Sequence, residues 1–251
     1  MKKVAVVLHG QPRYYIAGCI NIFKFLLKQN NIEVDFFYHC WIIDEGQKYN
    51  ASSPQCYSQS NALDYQSGIE NNLKEIYNPI AYEYEKQINN FDISLYNDSI
   101  AYENTKNISE KHVNNINNVL SVNYSRNKAK NLFEDYVNKT NTKYDFVILT
   151  RFDIHNIPNL KLEDLDDTKV NLSNNYGGII FNPALMIMPQ EVFIKWFDIF
   201  DKLKEFINDS NINEYFNSND AKFYLNDEEL IAAKYLYTFK TMDNISKKYY
   251  W

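Results

Sequence analysis

The chain has 251 residues and a mass of 29.8 kDa, with 45% hydrophobic and 16% aromatic residues, enough to bury a substantial core and to exclude intrinsic disorder. A net charge of −6 and a pI near 5.3 supply no overall cationic face for sequence-independent binding of nucleic acid. No run of about 18 apolar residues occurs, so no helix is expected to span a membrane; peripheral membrane contact stays open.

Val4–Leu8 is a short continuous apolar run ending at Gly10 and reads as a buried parallel strand. Met1-Lys2-Lys3 resembles the start of a signal peptide, but the apolar run is too short and no small-residue cleavage site follows. From Tyr14 to Gln29 the spacing of Ile16, Cys19, Ile20, Phe23, Leu26 and Leu27 predicts an amphipathic helix with those residues inward. Val34–His39 reads as a second strand, completing a βαβ unit with a parallel pair. Ser52 to Asn72 is polar and reads as a loop, and Ile80–Tyr84 as a short strand. Asn123 to Asn138 is a predicted helix with Leu132, Phe133, Tyr136 and Val137 facing the core. Tyr144–Thr150 is the strongest strand. Gly177–Phe181 and Ala184–Met188 are two strands or one interrupted strand. Pro189 to Phe206 reads as one long helix with Pro189 in its first turn, and Asp227 to Phe239 as another with acidic residues at its start. Alternating strands and helices at both ends, with a looser middle and no Pro/Gly-rich linker, predict a single α/β domain over residues 1–251, with a mostly parallel central sheet flanked by helices.

The three cysteines are odd in number and form no Cys-x-x-Cys pair, which suits a reducing cytoplasm and carries no metal signature. The 21 tyrosines and 16 phenylalanines are read as compositional bias rather than as a binding surface.

His9-Gly10-Gln11-Pro12-Arg13 joins the first strand to its helix, where an open parallel sheet gathers ligands. Gly10 would let backbone approach a ligand, and Arg13 would offer a fork of donors to a phosphate; the alternative is a tight turn. Arg151 and Asp153 end the strongest strand at the same sheet edge. They could hold a diphosphate together with a metal or a sugar hydroxyl, or simply pair with each other. Tyr124-Ser125-x-x-Lys128 opens the predicted central helix; Ser125 suits an N-cap, and its hydroxyl or Lys128 could touch a ligand. Asp227, Glu228 and Glu229 cluster at a helix start, where one carboxylate could act as a general base or merely complement the helix dipole. His39 reads as a satisfied core histidine that could share a sheet edge with His9. Neither a Gly-x-Gly-x-x-Gly loop nor a Gly-x-Ser-x-Gly elbow is present.

Taken in order, Gly10-Gln11-Pro12-Arg13, the strand Val34-Asp35-Phe36-Phe37-Tyr38-His39-Cys40-Trp41, Tyr124-Ser125-x-x-Lys128, Tyr144-Asp145-x-Val147-Ile148-x-x-Arg151-x-Asp153 and Glu228-x-Leu230-Ile231 resemble a family of bacterial and viral glycosyltransferases of surface polysaccharide or glycan assembly. Asp227 stands where that family usually has proline. The resemblance implies a GT-A-like (Rossmann-like) fold that transfers a sugar from a nucleotide-sugar donor to a glycan or polysaccharide acceptor. It implies donor binding by His9, Gly10, Gln11, Arg13, Tyr124, Ser125, Lys128, Arg151 and Asp153, and a catalytic carboxylate at Glu228 or Asp227 if the enzyme inverts. Arg151-x-Asp153 stands where many GT-A enzymes have Asp-x-Asp, so Mn²⁺ or Mg²⁺ would rest on Asp153 alone. Two alternatives remain: a non-catalytic glycan- or nucleotide-binding module of the same fold, and a sugar-phosphate or nucleotidyl transferase.

Overall fold

The structure, a computed structural model, describes residues 1–49, 64–107, 110–155, 157, 159–172, 175–176, 180–181, 184–196, 198–207 and 245–246. In chain order the elements are β1 (Lys2–Gly10), α1 (Tyr15–Leu26), β2 (Ile32–Ile42), α2 (Ile69–Tyr77), β3 (Ala81–Lys86), α3 (Ile100–Lys106), α4 (Glu110–Thr140), β4 (Phe146–Arg151), β5 (Val170–Leu172), β6 (Asn175–Tyr176), β7 (Ile180–Phe181), β8 (Leu185–Met188), α5 (Gln190–Trp196), α6 (Ile199–Ile207) and β9 (Ile245–Ser246). The main sheet runs β3-β2-β1-β4-β8-β5-β9, with β6 and β7 forming a separate ribbon. The pairs β3–β2, β2–β1, β1–β4 and β5–β9 are parallel, and β8 is antiparallel to both of its neighbours. This is the expected α/β class, a mostly parallel sheet flanked by helices.

β1 lies between β2 and β4 and is covered on both faces, which is why Val4 to Leu8 is apolar without alternation. Its odd residues Ala5 and Val7 pack with Phe37, Val147 and Leu149 against Ala129, Phe133 and Val137 of α4. Its even residues Val4, Val6 and Leu8 pack with Phe36, Tyr38, Phe146 and Ile148 against Tyr15, Ile22, Phe25 and Leu26 of α1 and Leu73 of α2.

Several expectations are corrected. The inward face of α1 is Tyr15, Gly18, Ile22, Phe25 and Leu26, whereas Ile16, Ile20 and Leu27 are exposed. Apolar residues cover more than half of this helix, so periodicity alone leaves its rotation undecided. Gly18 decides it: a Cβ built there would stand 1.8 Å from the Phe152 carbonyl oxygen, so only a bare backbone fits against the end of β4. The polar stretch ending at Asn72 is not all loop, because α2 begins at Ile69. The central helix begins at Glu110 rather than Asn123, so Tyr124-Ser125 lies in mid-helix and Ser125 is no N-cap. The helix expected from Pro189 to Phe206 is two helices, α5 and α6, and Asp198 between them receives Lys130 of α4 at 2.7 Å. Ile180–Phe181 and Leu185–Met188 are separate strands, in the ribbon and the main sheet respectively. The helix expected over Asp227–Phe239 lies outside the described residues. Among the described residues no helix is long and apolar enough to cross a membrane.

Gly18→Ala should cost about 1–3 kcal/mol of unfolding free energy, the usual range for overpacking, because the obstructing atom is backbone. Urea denaturation of the variant checks this, and unchanged stability would show that α1 is not seated by this contact.

Candidate functional site

The pleat places side chains of register partners on the same face of a parallel sheet. His9 on β1 is opposite His39 on β2 and Arg151 on β4, and His39 is opposite Glu83 on β3. One rank at the carboxyl ends of four strands therefore reads Glu83, His39, His9 and Arg151. One pleat earlier the same face is Ala81, Phe37, Val7 and Leu149. The face thus changes from apolar to polar within two residues. α4 matches the change: Ala129, Phe133 and Val137 cover the apolar rows, while Tyr124, Ser125, Arg126 and Lys128 belong to its polar middle.

Ser125, Arg126 and His39 are buried in this layer. The Ser125 hydroxyl accepts the Gly10 N–H at 2.8 Å and lies 2.7 Å from His39 Nδ1 and 3.4 Å from the His39 carbonyl oxygen. His39 Nε2 lies 3.1 Å from Glu85 Oε2. Burial lowers the His39 pKa although Glu85 opposes it, so the ring is neutral near pH 7. In the tautomer protonated at Nε2, that N–H donates to Glu85 and Nδ1 accepts the serine hydroxyl, and every group is satisfied. His39 is thus the satisfied histidine expected from sequence. His9 is fully buried, and among the described residues neither of its ring nitrogens has a partner. Burial, and then Arg126 and Arg151, hold its pKa well below the usual value.

On the outer side of this layer the Gly10–Arg13 loop meets the end of β4. Gly10 has φ 97°, a conformation that favours glycine, and its N–H is engaged by Ser125. Gln11 Nε2 donates to Gln87 Oε1 at 2.8 Å. Arg151 grips Asp153 with two bonds, Nε to Oδ1 and Nη2 to Oδ2, both 2.8 Å. Arg13 Nη2 adds an ion pair to Oδ2 at 3.2 Å. Asp153 is 4% exposed; burial alone would raise its pKa, but Arg151 and Arg13 outweigh burial and hold the carboxyl below its ordinary value. The loop after β1 and the end of β4 are therefore in direct contact.

The metal expected on Asp153 does not suit this arrangement. Both carboxylate oxygens are occupied by guanidinium donors, so a divalent cation would have to enter between two positive groups. Tyr124 and Lys128 lie on the β3 side of the layer. Tyr124 stacks on Trp41 at 5.4 Å between ring centroids and donates to Glu85. Lys128 Nζ is 2.8 Å from Glu83 Oε1 and 3.9 Å from Glu85 Oε2, and the Glu83 carboxylate pushes its pKa up. Asp145 lies at the other end of the sheet, accepting the Lys3 N–H at 2.7 Å. Asp227 and Glu228 lie outside the described residues.

Sequence reasoning left out Arg126, Glu83 and Glu85. The available signal was the Glu83-x-Glu85 alternation, which puts both carboxylates on one face of β3, but only the strand register brings that face to His39.

No protein-family profile and no curated protein matches the chain. Among solved structures it is similar to an active-site mutant of LgtC, with a TM-score of 0.38 and 14% identity over 94% of this chain and 70% of that one. It is also similar to the galactosyltransferase LgtC in complex with donor and acceptor sugar analogues, with a TM-score of 0.36 and 14% identity over 98% of this chain and 72% of that one.

The depressed Asp153 pKa stabilises the fold fully above the unfolded carboxylate value, near 3.9, and this contribution is lost as pH falls through the lower folded value. Asp153→Asn should therefore show a shallower acid limb and lose about 3 kcal/mol at neutral pH, because it leaves two guanidinium groups without their carboxylate. Urea denaturation from neutral to acid pH tests both, and an unchanged acid limb would remove Asp153 from that role.

Proposed function

We propose that the chain is a single GT-A-like domain that acts as a nucleotide-sugar-dependent glycosyltransferase with a glycan or polysaccharide acceptor. The observation that carries this reading is the meeting of Arg13 and Arg151 on the buried Asp153 carboxylate at the carboxyl ends of β1 and β4. In open parallel sheets ligands bind beside these strand ends. Guanidinium groups suit diphosphates, and before a ligand arrives Asp153 fixes the plane of the Arg151 fork and anchors Arg13 through one Nη. The ordered sequence resemblance supports the same reading.

In such a transfer the bond between the sugar's anomeric carbon and the diphosphate oxygen breaks, and the diphosphate leaves with the electron pair. Arg13 and Arg151 stabilise the charge that develops on it. The acceptor oxygen bonds to the anomeric carbon, and its proton passes to a carboxylate if configuration inverts. Glu228 is the proposed base and Asp227 the substitute for it. His9, Gly10, Gln11, Tyr124, Ser125 and Lys128 belong to the proposed donor site, with Ser125 acting through the Gly10 backbone it holds. Asp153 is proposed as a positioning residue rather than a metal ligand.

A panel of UDP, GDP, CDP and dTDP sugars, followed by thermal shift and by turnover with glycan acceptors, tests the reading. Nucleotide binding without turnover across acceptors would favour a binding module; release of a sugar phosphate would favour the phosphotransfer alternative. Arg13→Ala should weaken nucleotide diphosphate binding by about 1.5–3 kcal/mol, the range for hydrogen bonds to charged groups. Asp145→Asn, at the far end of the sheet, should leave that affinity unchanged. Equal effects of the two substitutions in calorimetry would count against a site at these strand ends.

A further inference from the structure

We infer that His39, Glu83 and Glu85 form a zinc site that exchanges its ion with the Lys128 ammonium. Among the described residues these three are the group of potential metal ligands whose donor atoms converge, all lying within 4.8 Å of one another. They come from two adjacent strands: Glu83 is the register partner of His39, and Glu85 lies two residues further along the same face. β3 is the edge strand, and both carboxylates are partly exposed, so an ion can enter from solvent without opening the core. One imidazole nitrogen, two carboxylates and an open position suit Zn²⁺ in tetrahedral coordination. Donor atoms about 2.0–2.2 Å from zinc are roughly 3.3–3.6 Å apart, so closure needs only side-chain adjustment of the two glutamates.

The buried side of the site is already built. A metal-binding imidazole passes its other ring N–H to an acceptor that fixes its tautomer. Ser125 Oγ stands 2.7 Å from His39 Nδ1, and its own proton has a second acceptor in the His39 carbonyl oxygen at 3.4 Å. The ring can therefore move its proton from Nε2 to Nδ1, reverse the serine hydroxyl and expose the Nε2 lone pair, with no net gain or loss of protons. Lys128 Nζ, 2.8 Å from Glu83 Oε1, supplies positive charge to the same carboxylates when no ion is bound. Zinc and the lysine ammonium compete for one place. The site is separate from the Arg13–Asp153–Arg151 clamp and does not rest on the proposed sugar transfer.

Calorimetric titration of the whole chain with zinc chloride tests this, with magnesium chloride as the comparison. One saturable zinc per chain is expected, with no comparable uptake of magnesium. Glu83→Gln should weaken zinc binding by about tenfold or more, Ser125→Ala by about tenfold through loss of the second hydrogen bond, and His39→Gln should remove it. Lys128→Met should tighten binding, which a purely structural role for these residues does not predict. Glu33→Gln, at the other end of β2, should have no effect. Failure to bind zinc, or affinity unchanged by Glu83→Gln, overturns the site. Glu83 lies on the partly exposed edge strand, so its variant decides the matter even if His39→Gln does not fold. Weaker binding by Lys128→Met would overturn the exchange.

Discussion

The carboxylate of Asp153 is buried between the guanidinium groups of Arg151 and Arg13, and the arrangement of the strand ends depends on it. Removing a carboxylate from water is costly, and it remains ionised here only because two cations approach within hydrogen-bond reach. That requirement ties the loop after β1 to the end of β4. Gly18 makes the approach possible by letting α1 rest on the Phe152 carbonyl, one residue before Asp153. An alanine there would push the helix carrying the Arg13 loop away from the strand end carrying its partner.

A second polar layer lies beneath, between the sheet and α4. A helix of 31 residues with so polar a middle would be unstable against an apolar sheet. Here the rank of His9, His39, Arg151 and Glu83 receives it, and Ser125 joins α4 to β1 and β2 through a single oxygen. The same helix makes polar contacts with α6 and the residue before it, Asn127 with Asp201 and Lys130 with Asp198. α4 therefore couples the strand ends to the second half of the chain through hydrogen bonds and ion pairs as well as the apolar packing of Phe133 with Phe193, Ile199 and Leu203, whereas α1 is held on the opposite face mainly by apolar packing.

These two layers divide the cationic groups differently from a reading of the motifs alone. Arg13 and Arg151 share one carboxylate, while Lys128 is turned toward Glu83 and Glu85 on the edge strand. The cation-binding chemistry belongs to the edge-strand cluster, where carboxylates outnumber the lysine, and not to Asp153, where guanidinium groups outnumber the carboxylate.

By itself the sequence determined β1, α1, β2, β4 and the last part of α4, because continuous apolar runs and the helical period are local properties of the chain; α2 and α3 were not legible in it. It also placed Arg151 and Asp153 at a strand end and Arg13 in the loop after β1, since the apolar runs Val4–Leu8 and Phe146–Leu149 fix where those strands stop. The rotation of α1 was not local: apolar residues surround that helix, and the choice of face came from the contact between Gly18 and a carbonyl 134 positions away in the chain. The start of α4 at Glu110 was hidden because Ile116, Val119 and Leu120, which pack in the core, stand among asparagines that blur the helical period. The pairing of His39 with Ser125, Glu83 and Glu85 was hidden for a different reason. It depends on strand register and on the seating of α4, and a difference of one residue in either would turn these side chains to other partners.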